Sequence, residues 1–369
     1  RNLIRDDAYP CTSPTGMRFN ELSHQACLEK LLAQMDYQGL REEQSRLREQ
    51  GIWRGVGLSL FVEVTNPSPM FYGVGGAPIA SQDGATVRLD ASGAVHVASS
   101  ITEQGQGTEA VMAQIVATAV GVPLDAVRVT TGDTDTTPYG GGTWASRGAG
   151  IGGEAALLAG EALRRQILDV AATVLQADAE TLSIVDGSVV DAQGGAHRMS
   201  LTDLARMVYY RGNELPNDVR PELIATRHFR VTDYPFVFTN GAQASWLEVD
   251  IETGIVTLLK HWVVEDCGRV INPQLVDEQV RGGVVQGIGG ALYEHCLYGP
   301  DGQLLNATMA DYLVPMAAEM PEIDVAHVET PTSTSSLGAK GVGEAGTGGA
   351  PGAIMNAVND ALSPHGALV

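Results

Sequence analysis

Residues 132–153 read GDTDTTPYGGGTWASRGAGIGG, and this polar, glycine-dense stretch leads directly into the clearest helical pattern of the chain. That pattern covers residues 154–176, and its apolar stripe consists of Ala156, Gly160, Leu163, Ile167, Val170 and Val174. Two more glycine-rich loops precede helical patterns in the same way, at 104–108 and at 341–349. Helix capping explains any one of these loops. Three together predict backbone N–H groups held close to a large, phosphate-bearing ligand.

The composition is acidic and rich in glycine. The chain has 369 residues, of which 44 are glycine, and its formal net charge is −21. A protein this acidic is a poor binder of phosphate backbones, so the composition argues against a nucleic-acid-binding function. No apolar run approaches the roughly 18 residues that a membrane-spanning helix requires, so the sequence predicts no membrane span.

Strand and helix patterns alternate along the chain without a regular period. Apolar alternation predicts a strand at 56–64, a hairpin at 86–99 and a strand pair at 242–265. Such a mixture favours the α+β class, with mixed sheets and packed helices, over a doubly wound parallel sheet. Because both halves run from strand pair through glycine loop to helix, we predict two similar subdomains, at 51–235 and 236–369, after an extended and helical lead-in at 1–50.

Two segments match the dinucleotide-binding pattern Gly-x-Gly-x-x-Gly, namely 148–153 and 341–346. That motif requires a buried strand running directly into its first glycine. The residues before both segments are polar and irregular, which disfavours a nicotinamide-dependent dehydrogenase.

Glu344 is the strongest catalytic candidate. It lies in Gly338-Ala-Lys-Gly-Val-Gly-Glu344, where a carboxylate at a helix start has room beside it for a substrate and could act as a general base. A solvated turn glutamate explains the same pattern equally well. Cys267 is either a nucleophile or a small buried residue. Gln279 and Gln286 lie on one helical face, which suits either hydrogen bonding to a heterocycle or a polar surface.

The four cysteines, Cys11, Cys27, Cys267 and Cys296, are widely spaced. No Cys-x-x-Cys pair is present, so an iron–sulfur cluster or a structural zinc built from this chain alone is not expected. The eight histidines form no metal-binding motif either. Such cysteine usage is typical of a reducing compartment, which predicts a cytoplasmic protein.

Five motifs together resemble the molybdenum-binding large subunit of the xanthine dehydrogenase/aldehyde oxidase family, in particular the C-terminal half of carbon monoxide dehydrogenase-type large subunits. The motifs are Gln104-Gly-Gln-Gly-Thr108, the segment 131–147, Asp266-Cys-Gly-Arg-Val-Ile-Asn-Pro273, Gln279-Val-Arg-Gly-Gly283 and Gly338–Glu344. Their order and spacing extend over nearly the whole chain.

The resemblance implies that both subdomains bind a molybdenum–molybdopterin cofactor in its cytosine dinucleotide form. It implies Glu344 as the catalytic base beside the metal, and no direct side-chain ligand to the metal. The residues that the resemblance assigns to cofactor binding are Gln106, Gly107, Thr108, Thr143, Ser146, Cys267, Asn272, Gln279, Lys340, Gly341, Val342 and Gly343.

The family's large subunits are about twice as long as this chain. The resemblance therefore implies a missing N-terminal molybdopterin-binding half, a [2Fe–2S] subunit and an FAD subunit as partners, assembled as a dimer of heteromers. The activity it implies is oxidative hydroxylation of an aldehyde or N-heteroaromatic carbon with water as the oxygen source. The alternative is a molybdopterin-binding or scaffold subunit without turnover of its own.

Overall fold

The computed structural model describes residues 2–71, 80–217, 219–232 and 236–369. The chain forms two compact units. We call the first the terminal unit, which comprises Arg1–Thr65, Val237–Thr332 and Ala339–Val369. The second, the central unit, comprises Asn66–Phe236 and Ser333–Gly338.

The terminal unit is built on a four-stranded sheet. From one edge to the other, its strands are β13 (Glu322–His327), β12 (Val256–Asp266), β11 (Val237–Val249) and β3 (Arg54–Thr65). A separate short pair consists of β1 (Cys11–Thr12) and β2 (Arg18–Phe19). Its helices are α1 (His24–Gln34), α2 (Tyr37–Arg48), α6 (Pro273–Leu292) and α7 (Ala345–Leu362). Apolar residues of β11, β12, α6 and α7 form one core, and those of α1 with β3, β11 and β12 form another.

The central unit carries a second four-stranded sheet, with the order β10-β4-β5-β6, and a three-stranded one, β7-β8-β9. The strands are β4 (Asp83–Leu89), β5 (Val95–Ser99), β6 (Val127–Thr130), β7 (Leu182–Val185), β8 (Ser188–Asp191), β9 (His197–Ser200) and β10 (Ile224–Phe229). The helices are α3 (Thr108–Val120), α4 (Glu154–Leu175) and α5 (Leu201–Tyr210). A π-helical turn at Gly148–Gly153 immediately precedes α4.

The two four-stranded sheets share one pattern of strand pairing. In each, an antiparallel hairpin (β4–β5 or β11–β12) leads through a helix (α3 or α6) to a strand parallel to the second hairpin strand. A further helix follows (α4 or α7), and an outer strand, β10 or β3, pairs antiparallel with the first hairpin strand. The α+β class with mixed sheets is thus confirmed.

The units divide the chain differently from the ranges 1–50, 51–235 and 236–369 expected from sequence. Residues 1–65 belong with the C-terminal residues because β3 pairs along its whole length with β11, from Thr65 opposite Val237 to Arg54 opposite Glu248. A pairing across more than 170 residues leaves no mark in local sequence patterns.

Several glycines allow helix α7 to pack closely on its neighbours. A Cβ at Gly346 would lie 2.2 Å from the Val280 carbonyl oxygen on α6, and one at Gly57 would lie 1.9 Å from the Ala353 carbonyl oxygen. Residues 341–349 were expected to form a loop, but the helix begins at Ala345, because tertiary packing favours these helical glycines despite their low propensity. Across the described ranges, no helix is long and apolar enough to cross a bilayer.

Candidate functional site

Glu344 immediately precedes helix α7, and its side chain is exposed. Its carbonyl oxygen accepts hydrogen bonds from the N–H groups of Thr347, at 3.0 Å, and Gly348, at 3.2 Å. The residue therefore combines an accessible carboxylate with a backbone that the first helical turn fixes.

Two glutamine side chains hold the backbone on either side of Glu344. Gln279 on α6 donates its amide to the Gly343 carbonyl oxygen at 2.7 Å. Gln243 on β11, which is fully buried, donates to the carbonyl oxygens of Ala345, at 3.1 Å, and Gly346, at 2.9 Å. The backbone that carries the carboxylate is thus fixed by neutral donors from two different elements.

His261 on β12 orients the Gln243 amide. Its Nε2 lies 3.1 Å from Gln243 Oε1, and its Nδ1 lies 2.7 Å from Ser245 Oγ. Burial lowers the pKa of His261 to about 3, so the ring is neutral. A neutral ring with Nε2–H donating to Gln243 and Nδ1 accepting from Ser245 satisfies all three groups.

Lys340 anchors the segment that leads to Glu344. Its buried ammonium lies 3.5 Å from Asp266 Oδ1 and 3.3 Å from the Glu21 carbonyl oxygen, and its N–H donates to the Cys267 carbonyl oxygen at 2.7 Å. The next N–H, that of Gly341, donates to Thr65 Oγ1 at 3.3 Å. The backbone N–H groups of Lys340 and Gly341, two residues predicted to bind the cofactor, thus donate hydrogen bonds within the protein.

The Cys267 thiol is buried, and burial, with the neighbouring Glu265 carboxylate, raises its pKa well above the ordinary value. A protonated, inaccessible thiol is a poor nucleophile, so of the two interpretations of Cys267 the structure supports the small buried residue. Asn272 caps helix α6 by accepting from the Leu275 N–H at 3.1 Å. Gln286 lies 3.1 Å from Thr347 Oγ1 and so links α6 to α7.

The predicted site residues of the central unit lie in two loops. Thr143 Oγ1 both accepts from the Thr102 N–H, at 3.0 Å, and donates to the Thr102 carbonyl oxygen, at 2.8 Å. Ser146 has a left-handed backbone with φ of 48°. Gln106 donates to the Thr102 carbonyl oxygen, at 3.0 Å, and to Thr108 Oγ1, at 2.8 Å. Thr143 therefore ties the two loops together at Thr102, and Gln106 fixes the loop before helix α3.

A carboxylate occupies the start of helix α3, where the sequence predicted a phosphate. Glu103 accepts from the N–H groups of Gly105, Gly107 and Glu109 at 2.8, 3.0 and 3.0 Å. Partial burial acts to raise its pKa, but these backbone donors outweigh burial and hold the pKa below its ordinary value. An anion binding to the same N–H groups would have to displace Glu103.

The loop before helix α4 is fixed by a buried ion pair. Arg147 and Asp83 are both completely buried and in direct contact, and Asp83 also accepts from the N–H groups of Gly141 and Gly142, at 3.0 and 3.2 Å. Glycine 150 is required here because a Cβ would lie 2.1 Å from the Asn66 amide. A Cβ at Gly140, Gly141 or Gly152 would likewise lie within 2.4 Å of a neighbouring atom, so packing explains much of the glycine in 140–153.

The terminal unit offers the better fit to an anionic group. Within the described ranges, the N–H groups of Val342 and Gly343 meet no acceptor, although both residues are only half exposed. Two successive N–H donors beside a helix start suit phosphate or pterin oxygens. The residues beside Glu344 are therefore chemically compatible with the implied cofactor, to which Val342 and Gly343 would offer two N–H donors.

Sequence reasoning identified Glu344 and Gln279 but missed Gln243 and His261. Glu344 and Gln279 lie in conspicuous glycine-rich motifs. Gln243 and His261 lie in strands whose neighbours are apolar, and only the pairing of β11 with β12 brings them together. A polar residue inside a fully buried strand was the available signal.

Comparison with known proteins agrees with the fold. Residues 30–321 match the molybdopterin cofactor-binding domain. The chain is 37% identical to the nicotine 6-hydroxylase large subunit of Paenarthrobacter nicotinovorans over all of its own length and 45% of that protein. It is 29% identical to the carbon monoxide dehydrogenase large chain of Afipia carboxidovorans over 98% of its own length and 45% of that protein.

Among solved structures, quinoline 2-oxidoreductase from Pseudomonas putida 86 superposes with a TM-score of 0.89 and 34% identity, over 100% of this chain and 47% of that one. The chain therefore belongs to the molybdopterin cofactor-binding domain family, as the motifs predicted. It spans about half the length of the relatives it matches. The structure also agrees with the argument against a dinucleotide fold, since in the described residues neither glycine motif follows a strand.

Proposed function

We propose that this chain is the catalytic, molybdopterin-binding part of an oxidative hydroxylase large subunit, with Glu344 as the general base. The observation that carries the proposal is the exposed Glu344 carboxylate on a backbone fixed by Gln243 and Gln279, beside the N–H groups of Val342 and Gly343, for which the described part of the chain provides no acceptor. A scaffold subunit without turnover would have no use for a base held in this way.

The cofactor, when bound, supplies a metal that activates a water oxygen and takes up two electrons. The net reaction joins that oxygen to a substrate carbon and releases two electrons and two protons. Glu344 accepts one of those protons at its carboxylate, and its fixed backbone keeps the carboxylate in one position throughout. Val342 and Gly343 hold the cofactor through their N–H groups.

The substrate we propose is an N-heteroaromatic compound, oxidised at an electron-poor ring carbon. Support comes from the names of two relatives, nicotine 6-hydroxylase at 37% identity and quinoline 2-oxidoreductase at 34%. The aldehyde oxidoreductase from Desulfovibrio gigas is only 23% identical, a level that speaks for the fold alone.

We further propose the cytosine dinucleotide form of the cofactor, and partners that carry the N-terminal half, [2Fe–2S] clusters and FAD, assembled as a dimer of heteromers in the cytoplasm. The names "large subunit" and "large chain" of the relatives support a multi-subunit complex. Cys11, Cys27, Cys267 and Cys296 are all free thiols, which suits a reducing compartment. Gln106, Gly107, Thr108, Thr143, Ser146, Cys267, Asn272, Gln279, Lys340 and Gly341 stay predicted cofactor residues.

The test uses the complex purified with its natural partners. Its molybdenum, pterin nucleotide, iron and flavin contents are measured, and oxidation of quinoline, nicotine and benzaldehyde is assayed with an artificial electron acceptor in ¹⁸O-labelled water. We expect molybdenum with cytosine dinucleotide, oxidation of the heteroaromatic compounds, and labelled oxygen in the product. An active complex free of molybdenum would refute the proposal.

A further inference from the structure

Three ionisable side chains that the proposed reaction does not use meet in the terminal unit. They come from separate elements, with Glu265 near the end of β12, His327 at the end of β13 and Asp277 near the start of α6. His327 Nδ1 lies 2.5 Å from Glu265 Oε1, and His327 Nε2 lies 2.6 Å from Asp277 Oδ1. Glu265 is completely buried, whereas the His327 and Asp277 side chains are 19% and 33% exposed.

The geometry requires a proton to stay in this cluster. A neutral imidazole has a single N–H, and an ionised carboxylate can only accept, so hydrogen bonds to two carboxylates require both ring nitrogens to donate. The hydrogen bond to Glu265, helped by that to Asp277, raises the pKa of His327, and burial raises the pKa of Glu265. His327 therefore holds its proton more tightly than a free imidazole does.

Other charged groups surround the cluster. The Cys267 thiol is buried beside Glu265, and Asp266 adjoins it but pairs with Lys340. Arg281 lies 3.9 Å from Asp277, and Lys30 donates to the His327 carbonyl oxygen at 2.7 Å. In the described residues, no group of three or more His, Cys, Asp and Glu side chains is arranged to hold a metal ion.

Helix α6 connects this cluster to the backbone of Glu344. Asp277 and Gln279 are two residues apart, which places them about 200° apart around the helix axis and so on opposite sides. Asp277 binds His327 on one side, and Gln279 holds the Gly343 carbonyl oxygen at 2.7 Å on the other. A shift of α6 away from β12 and β13 would therefore move the donor that fixes the residue before Glu344.

We propose that His327 is a positioning residue, which clamps α6 to β12 and β13 and thereby holds Gln279 and the Gly343–Glu344 backbone in place. Its effect on turnover rests on the proposed function of Glu344, whereas its effect on the backbone does not. A histidine whose pKa is higher in the folded state stabilises fully below its unfolded pKa of about 6.5, and this stabilisation is lost as the pH rises through the folded pKa. The clamp should consequently loosen on the alkaline side.

The experiment compares three variants with the natural complex: His327→Gln, Asp277→Asn and the control His96→Gln. His96 also binds a carboxylate, that of Asp90 at 2.7 Å, but in the central unit. Hydrogen–deuterium exchange of the peptide spanning 341–348 is followed from pH 6 to pH 9, with correction for intrinsic exchange. The pH profiles of kcat and KM are measured in parallel.

We expect the natural complex to lose protection of this peptide as the pH rises, and His327→Gln to lack that protection at every pH. Asp277→Asn should shift the loss to lower pH, and His96→Gln should match the natural complex. The kcat of His327→Gln should fall roughly tenfold with little change in KM.

Unchanged exchange of residues 341–348 in His327→Gln, with or without a lower melting temperature, would overturn the proposal. If that variant does not fold, Asp277→Asn provides the test. Loss of exchange protection of residues 341–348 at the same pH as in the natural complex would then contradict the clamp. Full turnover of a Glu344→Gln variant would refute the proposed base, whereas the exchange results would still test His327 separately.

Discussion

Buried polar groups of this chain act mostly on the backbone, and their partners come from distant sequence. Gln243, Gln279 and Lys340 each hold a carbonyl oxygen or a carboxylate near Glu344. Sequence motifs pointed to Glu344 and Gln279 because glycine surrounds them. They could not reveal Gln243, since its partner carbonyls lie more than 100 residues away.

Replacing Arg147 with methionine should strongly destabilise the protein. The change leaves the Asp83 carboxylate buried without its cation, a loss typically worth about 3–5 kcal/mol. Burial already raises the pKa of Asp83, and removing Arg147 raises it further, so the cost should shrink as the pH falls and Asp83 is protonated. Thermal unfolding between pH 4 and 8 measures this.

The control for Arg147 is Arg198→Met, because Arg198 pairs with Asp191 on the surface, where both side chains are about one-third exposed. An exposed pair contributes less than about 1 kcal/mol. Equal losses of stability in the two variants would contradict the account of the buried pair.

At the scale of secondary structure, most elements were predictable from periodicity, including β3, the β4–β5 hairpin and helix α4. The start of α7 was not, because Gly346, Gly348 and Gly349 read as a loop in sequence. In the helix, α7 packs closely on its neighbours: a Cβ at Gly346 or Gly349 would collide with Val280 or Gln243, and one at Gly348 would lie a tight 3.2 Å from Phe61. Many glycines that composition alone assigned to cofactor binding thus serve contacts between elements.

Substituting alanine for glycine should therefore have opposite effects at two positions of the terminal unit. Gly57→Ala places a Cβ 1.9 Å from the Ala353 carbonyl oxygen, which should cost about 1–3 kcal/mol. At Gly282, inside helix α6, a Cβ would meet no neighbouring atom within 4 Å, so Gly282→Ala should stabilise the protein by about 0.5–1 kcal/mol. Urea unfolding measures the free energy of unfolding of both variants, and an unchanged value for Gly57→Ala would disprove the close packing of β3 and α7.

At the scale of the whole chain, the repeated strand order in the two units agrees with the expectation of two similar subdomains. The position of the outer strand in the chain could not be predicted from sequence. In the central unit this strand, β10, follows the other three strands of its sheet, whereas in the terminal unit β3 precedes them.

Residues 293–321 contain large apolar side chains that are exposed: Leu297, Tyr298, Leu304, Leu305, Met309, Leu313, Val314 and Met316.

We expect this exposed segment to contact the N-terminal half of a large subunit, since relatives extend to about twice the length of this chain. Met309→Asp, at a side chain that is 76% exposed, should weaken co-purification with that half while leaving the chain's own melting temperature unchanged. Leu124→Asp, at an exposed residue of the central unit, is the control. Normal assembly of Met309→Asp would show that the contact lies elsewhere.

The central claim is that Glu344 accepts the proton in oxidative hydroxylation. It is tested most directly by the rate at which substrate reduces the complex in a single anaerobic turnover, compared between the natural protein, Glu344→Gln and the exposed control Glu252→Gln at equal molybdenum content. Loss of a general base should slow Glu344→Gln by about 10²–10⁴-fold and leave Glu252→Gln unaffected. A Glu344→Gln complex that is reduced as fast as the natural one would contradict the claim.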